Sequence, residues 1–448
     1  MSRIRLSYLI TLTLTVILSS CTQETDEVKW EINDLEYLEI PGINVLVFHN
    51  SYPVGKQGGI EIIQHGERVA TNGYINVDLP PGQSFPRPDS AKREVSKEKQ
   101  EISAKVSVPE FDFNYTIRVW PENESIHMVV DLDKPIPAEW ENRATFEMLL
   151  YPVTYRGKSY QLGQTFGVFP VEALGPMTTG TSGELRPAPM AVGSKLMIAQ
   201  EDPLCKMEIE QVNGNLALVD GRNGSLGGWF ILQSEIPAGS TKGAVEWIIK
   251  PNSIPNWQRD PVICFSQVGY HPNQVKEAII ELDQRTSHFE KASLVRLDKD
   301  GDMREVLSSI PEKWGKFLRY EYGVFDFTTV KDAGIYQIKY GSITSNPFSI
   351  NENIYKEGVW QPTLEIYFPV QMCHMWIRDR GRVWHGACHL DDALQAPVAI
   401  EHTDGYRSYA ETETQYKSMT HIPGLNRGGW HDAGDNDLAA GSQAATTL

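Results

Sequence analysis

Residues 101–132, EISAKVSVPEFDFNYTIRVWPENESIHMVVDL, carry apolar side chains at every second position. Ile102, Ala104, Val106 and Val108 alternate with polar neighbours, Phe111, Phe113, Tyr115, Ile117 and Val119 do the same, and Ile126, Met128, Val130 and Leu132 resume after Pro121-Glu122-Asn123. Side chains of an extended chain point to opposite faces with period two. Three such runs, each giving one face to a core and separated by short turns, predict an antiparallel meander. The pattern recurs at Leu216 to Asp220 after Asn213-Gly214-Asn215, and at Gly228 to Leu232 after Asn223-Gly224. Residues 30–260 therefore read as one large β-sandwich. Trp120, Trp140 and Trp229 lie in it, where a tryptophan among strands serves by default as core packing, with sugar stacking as the alternative.

Downstream, residues 262–350 open with Ser266-Gln267-Val268-Gly269-Tyr270-His271-Pro272-Asn273 and a strand from Glu277 to Leu282. They close with strands at Gly334 to Ile338 and Phe348 to Ile350. Short alternating strands with a turn every ten residues or so predict an immunoglobulin-like β-sandwich. Past Asn351 the period changes: Leu364, Phe368, Met372 and Met375 make one helical face after Pro362, which Pro369 must kink or split. Asp437 to Leu448 read as a second, alanine-rich helix with an acidic residue where the macrodipole favours it.

At the other end, Arg3 and Arg5 precede an apolar run from Leu6 to Leu18 and then Ser19-Ser20-Cys21. The run is too short to span a bilayer and small residues stand at the cut, so it reads as a signal peptide. The polar, acidic stretch Thr22 to Val28 suits a tether. The net charge of −17 becomes −19 without Arg3 and Arg5, which disfavours nucleic acid as a partner and tolerates a neutral polymer. With 448 residues, 41% of them apolar, the chain is long enough for two to four folded domains. Five cysteines are too few for a disulfide scaffold, and Cys205 and Cys264 are expected in the core.

Two constellations carry chemistry. In Gly428-Gly429-Trp430-His431-Asp432-Ala433-Gly434-Asp435, two carboxylates three residues apart are separated by small residues that let backbone approach a ligand. Such a pair can hold and deprotonate a water, one carboxylate as base and the other as its orienting partner. Alone, Asp-x-x-Asp equally suits a calcium loop or a helix N-cap. The second constellation is Cys373, Cys388, His389 and His431: two thiols and two imidazoles that suit a structural zinc ion, at a spacing unlike that of a zinc finger. A Cys373–Cys388 disulfide and free buried thiols are the competing readings.

Leu18-Ser19-Ser20-Cys21 resembles a bacterial lipobox, which implies lipid on Cys21 and a place at the cell envelope. The acidic stretch behind it resembles surface-export signals of Bacteroidetes lipoproteins. SQVGYHPN, with the ending GIYQIKYGSITSNPFSI, resembles the immunoglobulin-like module that precedes the catalytic barrel in glycoside hydrolase family 9, and GGWHDAGD resembles that family's signature. The resemblance covers roughly residues 262 to 448. It implies that residues 352–448 begin an (α/α)₆ barrel, that Asp435 is the general base and that Asp432 helps position the water. It also implies an inverting hydrolase of β-1,4-linked glycans, with a general acid about 6.5–9.5 Å from the base. That acid is a glutamate late in the family's barrel, and no glutamate here sits in a matching motif, so the chain is expected to lack it and to be silent alone. His385, Cys388 and His389 reproduce the family's HxxCH pattern, which implies zinc. Asn436-Asp437-Leu438 departs from the aromatic and basic residues that often follow the signature, leaving the choice of sugar open. The alternatives are a non-catalytic carbohydrate-binding lipoprotein and a structural adaptor.

Overall fold

The computed structural model describes residues 29–52, 55–78, 90–179, 185–223, 228–286, 288–356, 358–365, 371–379, 382–390, 393–395, 415–425, 427–432, 438–439, 441 and 443–444. Cys21, Phe368, Pro369, Asp435 and Asp437 lie outside them. Among the described residues the chain is β-rich and multidomain, and no helix is long and apolar enough to cross a membrane.

The first unit pairs two nine-stranded antiparallel sheets around one core that runs from Trp30 to Ile249. The meander is formed by Glu101–Val108, Phe113–Glu122 and Ser125–Leu132, in register Ile102↔Val119 and Ile117↔Val130. Its alternate side chains, Ile102 through Leu132, are buried; each large one contributes about 1.5–3 kcal/mol relative to exposure. Phe111 departs from the expected pattern, because Pro109 starts a 3₁₀ turn over Pro109–Phe111 before the next strand. Leu216–Asp220 is a strand as expected, and the next runs Phe230–Glu235.

Of the three tryptophans, only Trp140 is core, edge-on to Phe111 and Phe113. Trp120 is half-buried and stacks on His127 from the adjacent strand, and half-buried Trp229 packs edge-on to Tyr151. The core assignment of these two is therefore corrected: Trp120 has the opposite strand parity to the buried Val119, so the pleat turns it outward.

The second unit is another two-sheet sandwich, with the sheet Val262–Cys264, Glu277–Asp283, Tyr320–Asp326, Glu312–Phe317 facing one built on Ala292–Leu297 and Gly334–Tyr340. Its separate core runs from Tyr270 to Ile350. The SQVGYHPN motif is the fastening of this unit. Tyr270 is buried, its hydroxyl accepts the Ser266 N–H and donates to the Glu277 carbonyl, both at 2.9 Å. Gly269 has φ 104° and lies so close to the Ser349 carbonyl that no Cβ would fit. The Asn351 N–H donates to the Tyr270 carbonyl at 3.0 Å, and the Tyr355 hydroxyl to Gln274 at 2.8 Å, so the motif also sets the chain's exit. Cys205 is buried as expected, but Cys264 is exposed. Strand alternation turns its neighbours Ile263 and Phe265 onto the core instead.

Between the units, the connector is held on both sides. Trp257 packs edge-on to His65, the Arg259 N–H donates to Asp283 at 3.1 Å, and the Arg259 guanidinium pairs with Glu281 over the Tyr320 ring.

Beyond residue 351 the expected helical face is only partly present. A short helix spans Gln361–Glu365, but Met372 pairs with Trp430 in an antiparallel bridge and Met375 is exposed. Gln371 is still helical, in a π-type turn, but the Cys373 N–H donates to the Gly429 carbonyl and His374 has φ 59°, so a helix cannot continue past Gln371. Of the second expected helix, Gly441, Gln443 and Ala444 are helical, with the Gln443 N–H donating to Ala439.

Candidate metal centre and carboxylate loop

Two segments, 371–373 and 429–431, meet antiparallel at one bridge, Met372 with Trp430. The Cys373 N–H donates to the Gly429 carbonyl at 2.9 Å, and the His431 N–H to the Gln371 carbonyl at 2.6 Å. These two bonds flank the Met372–Trp430 pair and place Cys373 and His431 diagonally on one face, the face opposite the Met372 and Trp430 side chains. Gly429, at φ 111°, makes the turn into this pairing, a conformation that favours glycine. A hairpin of Ile377–Asp379 and Arg382–His385 then folds the chain back, returning Cys388 and His389 to Cys373.

The ligand atoms of Cys373, Cys388, His389 and His431 all lie within 4.8 Å of one another. The two Sγ atoms are 3.7 Å apart, Cys373 Sγ is 3.1 Å from His389 Nδ1, and Cys388 Sγ is 3.2 Å from His431 Nε2. A tetrahedral ion with bonds of about 2.3 Å to sulfur and about 2.0–2.1 Å to nitrogen has ligand–ligand edges of about 3.3–3.8 Å. The donor set fits a metal ion, and the three separations lie at or within about 0.2 Å of those edges. Cys373 and His431 are buried, Cys388 and His389 half-buried, and the imidazoles of His389 and His431 meet at 5.3 Å between ring centres. No disulfide joins the two cysteines, whose sulfurs stand well beyond the roughly 2.05 Å of such a bond.

The structure brings all four expected ligands together and leaves Asp432, the next residue after His431, exposed at the rim. Asp435 lies outside the described residues. His374 was not anticipated from sequence. Its half-buried ring lies 6.3 Å from that of His389, and neither nitrogen has a hydrogen-bond partner among the described residues. Adjacency to Cys373 was its only sequence signal. A cavity of about 370 Å³ beside Lys206, Met207 and Lys250 includes none of these residues in its lining.

No family model and no curated protein matches the chain. Among solved structures it is similar to a metagenome-derived glycoside hydrolase family 9 endoglucanase, at 24% identity and TM-score 0.30 over 39% of this chain and 30% of that one. It is also similar to a Bacteroides ovatus GH9 protein, at 19% identity and TM-score 0.28 over 39% and 28%. A third is a Zn-binding triple mutant of the family 9 endoglucanase J30, at 21% identity and TM-score 0.27 over 37% and 27%. The chain spans less than a third of the length of each.

Proposed function

We propose that the chain belongs to an envelope-anchored, inverting hydrolase of β-1,4-linked glycans of the family 9 type. On this reading residues 262–350 are its immunoglobulin-like module, residues 352–448 begin its (α/α)₆ barrel, and Cys21 carries the lipid. The observation that carries the reading is the convergence of Cys373, Cys388, His389 and His431 immediately before Asp432, within a sequence string that resembles the family signature. With four protein donors, a bound zinc ion would cross-link the segments at 373, 388–389 and 431 and leave proton transfer to the carboxylates. Asp435 takes a proton from water as the water attacks the anomeric carbon from the face opposite the leaving oxygen, and Asp432 orients that water. A carboxylic acid on the other face protonates the leaving oxygen, and the product is inverted. That acid is assigned to no residue here.

The test uses the protein on soluble β-1,4-glucans, following the first-formed anomer by NMR. Asp435→Asn should lower kcat by about 10²–10⁴-fold while binding persists. Undiminished turnover by Asp435→Asn, or a retained product anomer, overturns the assignment. Glycan binding without any turnover would favour the carbohydrate-binding lipoprotein.

A further inference from the structure

The segment 429–431, joined to 371–373 at the Met372–Trp430 bridge, has two edges, and only one faces residues 371–373. Because the Met372–Trp430 pair is flanked by its hydrogen bonds, the groups turned toward 371–373 are the Gly429 carbonyl and the His431 N–H. The N–H and carbonyl of Trp430 point to the opposite edge. There the Trp430 N–H donates to Gln443 Oε1 at 2.8 Å, and Gln443 Nε2 donates to the Trp430 carbonyl. A primary amide has one acceptor and a donor side by side, so one side chain supplies both bonds that a neighbouring strand would otherwise make. Gln443 is itself held in a helical turn by its N–H bond to Ala439 at 3.2 Å. A Cβ at Gly429 would come within 3.1 Å of Gln443 Oε1, so the glycine also makes room for the amide.

We infer that Gln443 is a positioning residue whose amide fixes the peptide of Trp430 and thereby aims His431 into the Cys/His cluster and Asp432 outward. This rests on the proposed reading of the cluster as a metal centre beside the catalytic carboxylates. Through its two amide bonds Gln443 acts on the backbone between two residues with different tasks. The three bonded edges, 371–373, 429–431 and the Gln443 amide, form a miniature sheet. In it the parity of one strand separates metal binding at 431 from carboxylate chemistry at 432. A slip of one residue would exchange the two faces.

The test titrates Co²⁺ into the metal-free 448-residue chain and reads the d–d and thiolate-to-cobalt bands, whose intensity and position report the tetrahedral ligand set. Gln443→Met keeps the length and removes both bonds; Gln443→Glu keeps an acceptor for the Trp430 N–H and loses the donor. Partners that orient a ligand typically cost about 10–100-fold in metal affinity when removed. Gln443→Met should lose affinity in that range with altered d–d bands, and Gln443→Glu should lie between it and the unaltered chain. Far-ultraviolet dichroism and the unfolding transitions of the two β units should stay unchanged, which separates positioning from general misfolding. If the unaltered chain gives tetrahedral thiolate bands and Gln443→Met matches it in affinity and spectrum, the inference fails while the metal reading stands. If the unaltered chain gives no such bands, the metal reading itself fails, and the inference with it.

Discussion

Of the five cysteines, the four among the described residues differ enough in environment for the metal centre to be counted rather than only detected. Cys205 is buried, and burial together with Asp202 pushes its thiol up to about 12. At pH 7.5 its thiolate fraction is then about 10⁻⁵–10⁻⁴, which makes it silent to a thiol reagent on the minute timescale. Cys264 is exposed and remote in the chain from the cluster, so it reacts whether or not metal is present. Cys373 and Cys388 are the pair whose sulfurs stand 3.7 Å apart among the imidazoles. Metal should protect both, and chelation should expose both. The expected signature is an increment of two reactive thiols per zinc released when a strong chelator is added to native protein. X-ray absorption should show two sulfur neighbours at about 2.3 Å and two nitrogen neighbours at about 2.0–2.1 Å. Cys388→Ser should abolish both the increment and the bound zinc. A thiol count unmoved by chelator, or a mapped Cys373–Cys388 disulfide in protein purified without reductant, would rule out the metal centre.

Three further outcomes follow from the fold. Ser234 sits in the first core, its hydroxyl accepting from Trp247 Nε1 at 2.9 Å and donating to Gln211 at 3.3 Å. Ser234→Ala strands two buried partners and should cost about 2–4 kcal/mol in chemical denaturation, whereas a loss under about 0.5 kcal/mol would mean the relay is not formed. Burial holds the pKa of His65 below its ordinary 6.5, against the opposing pull of its bond to the Leu204 carbonyl and of Asp202. The unfolded chain therefore takes up more protons below that value, and the His65 contribution is full above pH 6.5 and lost as pH falls beneath it. Melting of the first unit should drop between pH 7.5 and 5, and less steeply in His65→Gln; parallel curves would contradict this. Cys21→Ser should move the protein from the membrane to the soluble fraction, and an unchanged membrane fraction would remove the lipid anchor.

The β units were legible because their information is local. Ile102 to Leu132 state the strand period and burial face together, and nothing outside the segment is needed to read either. What escaped was cross-strand. Trp120 turns outward by one residue of parity, and its partner His127 is named only by the register of two strands. Cys264 looked like a core thiol by residue type, but its strand gives Ile263 to the core instead. The expected helix through Met372 and Met375 failed for a related reason: an i, i+3/i+4 spacing of apolar residues describes a possible helix, and pairing with a segment nearly sixty residues later outbid it.

The same contrast explains the candidate site. Its chemical types could be named from sequence because cysteine and histidine declare their chemistry, and the adjacent Cys388-His389 pair already implied one side of a ligand set. The backbone that aims them could not be named, because Gln371, Gly429 and Gln443 act through ordinary peptide and amide hydrogen bonds available to many residues. Parity then links the two levels. His431 and Asp432 are neighbours, so in extended backbone they must face opposite sides. A chain that needs a buried metal ligand and a solvent-facing carboxylate at one place can obtain both from a single strand, provided that both strand edges are occupied. The pairing with 371–373 supplies one edge and the Gln443 amide the other. On that argument the glycines before Trp430 and the glutamine thirteen residues after it are as necessary to the site as the residues whose side chains would do the chemistry.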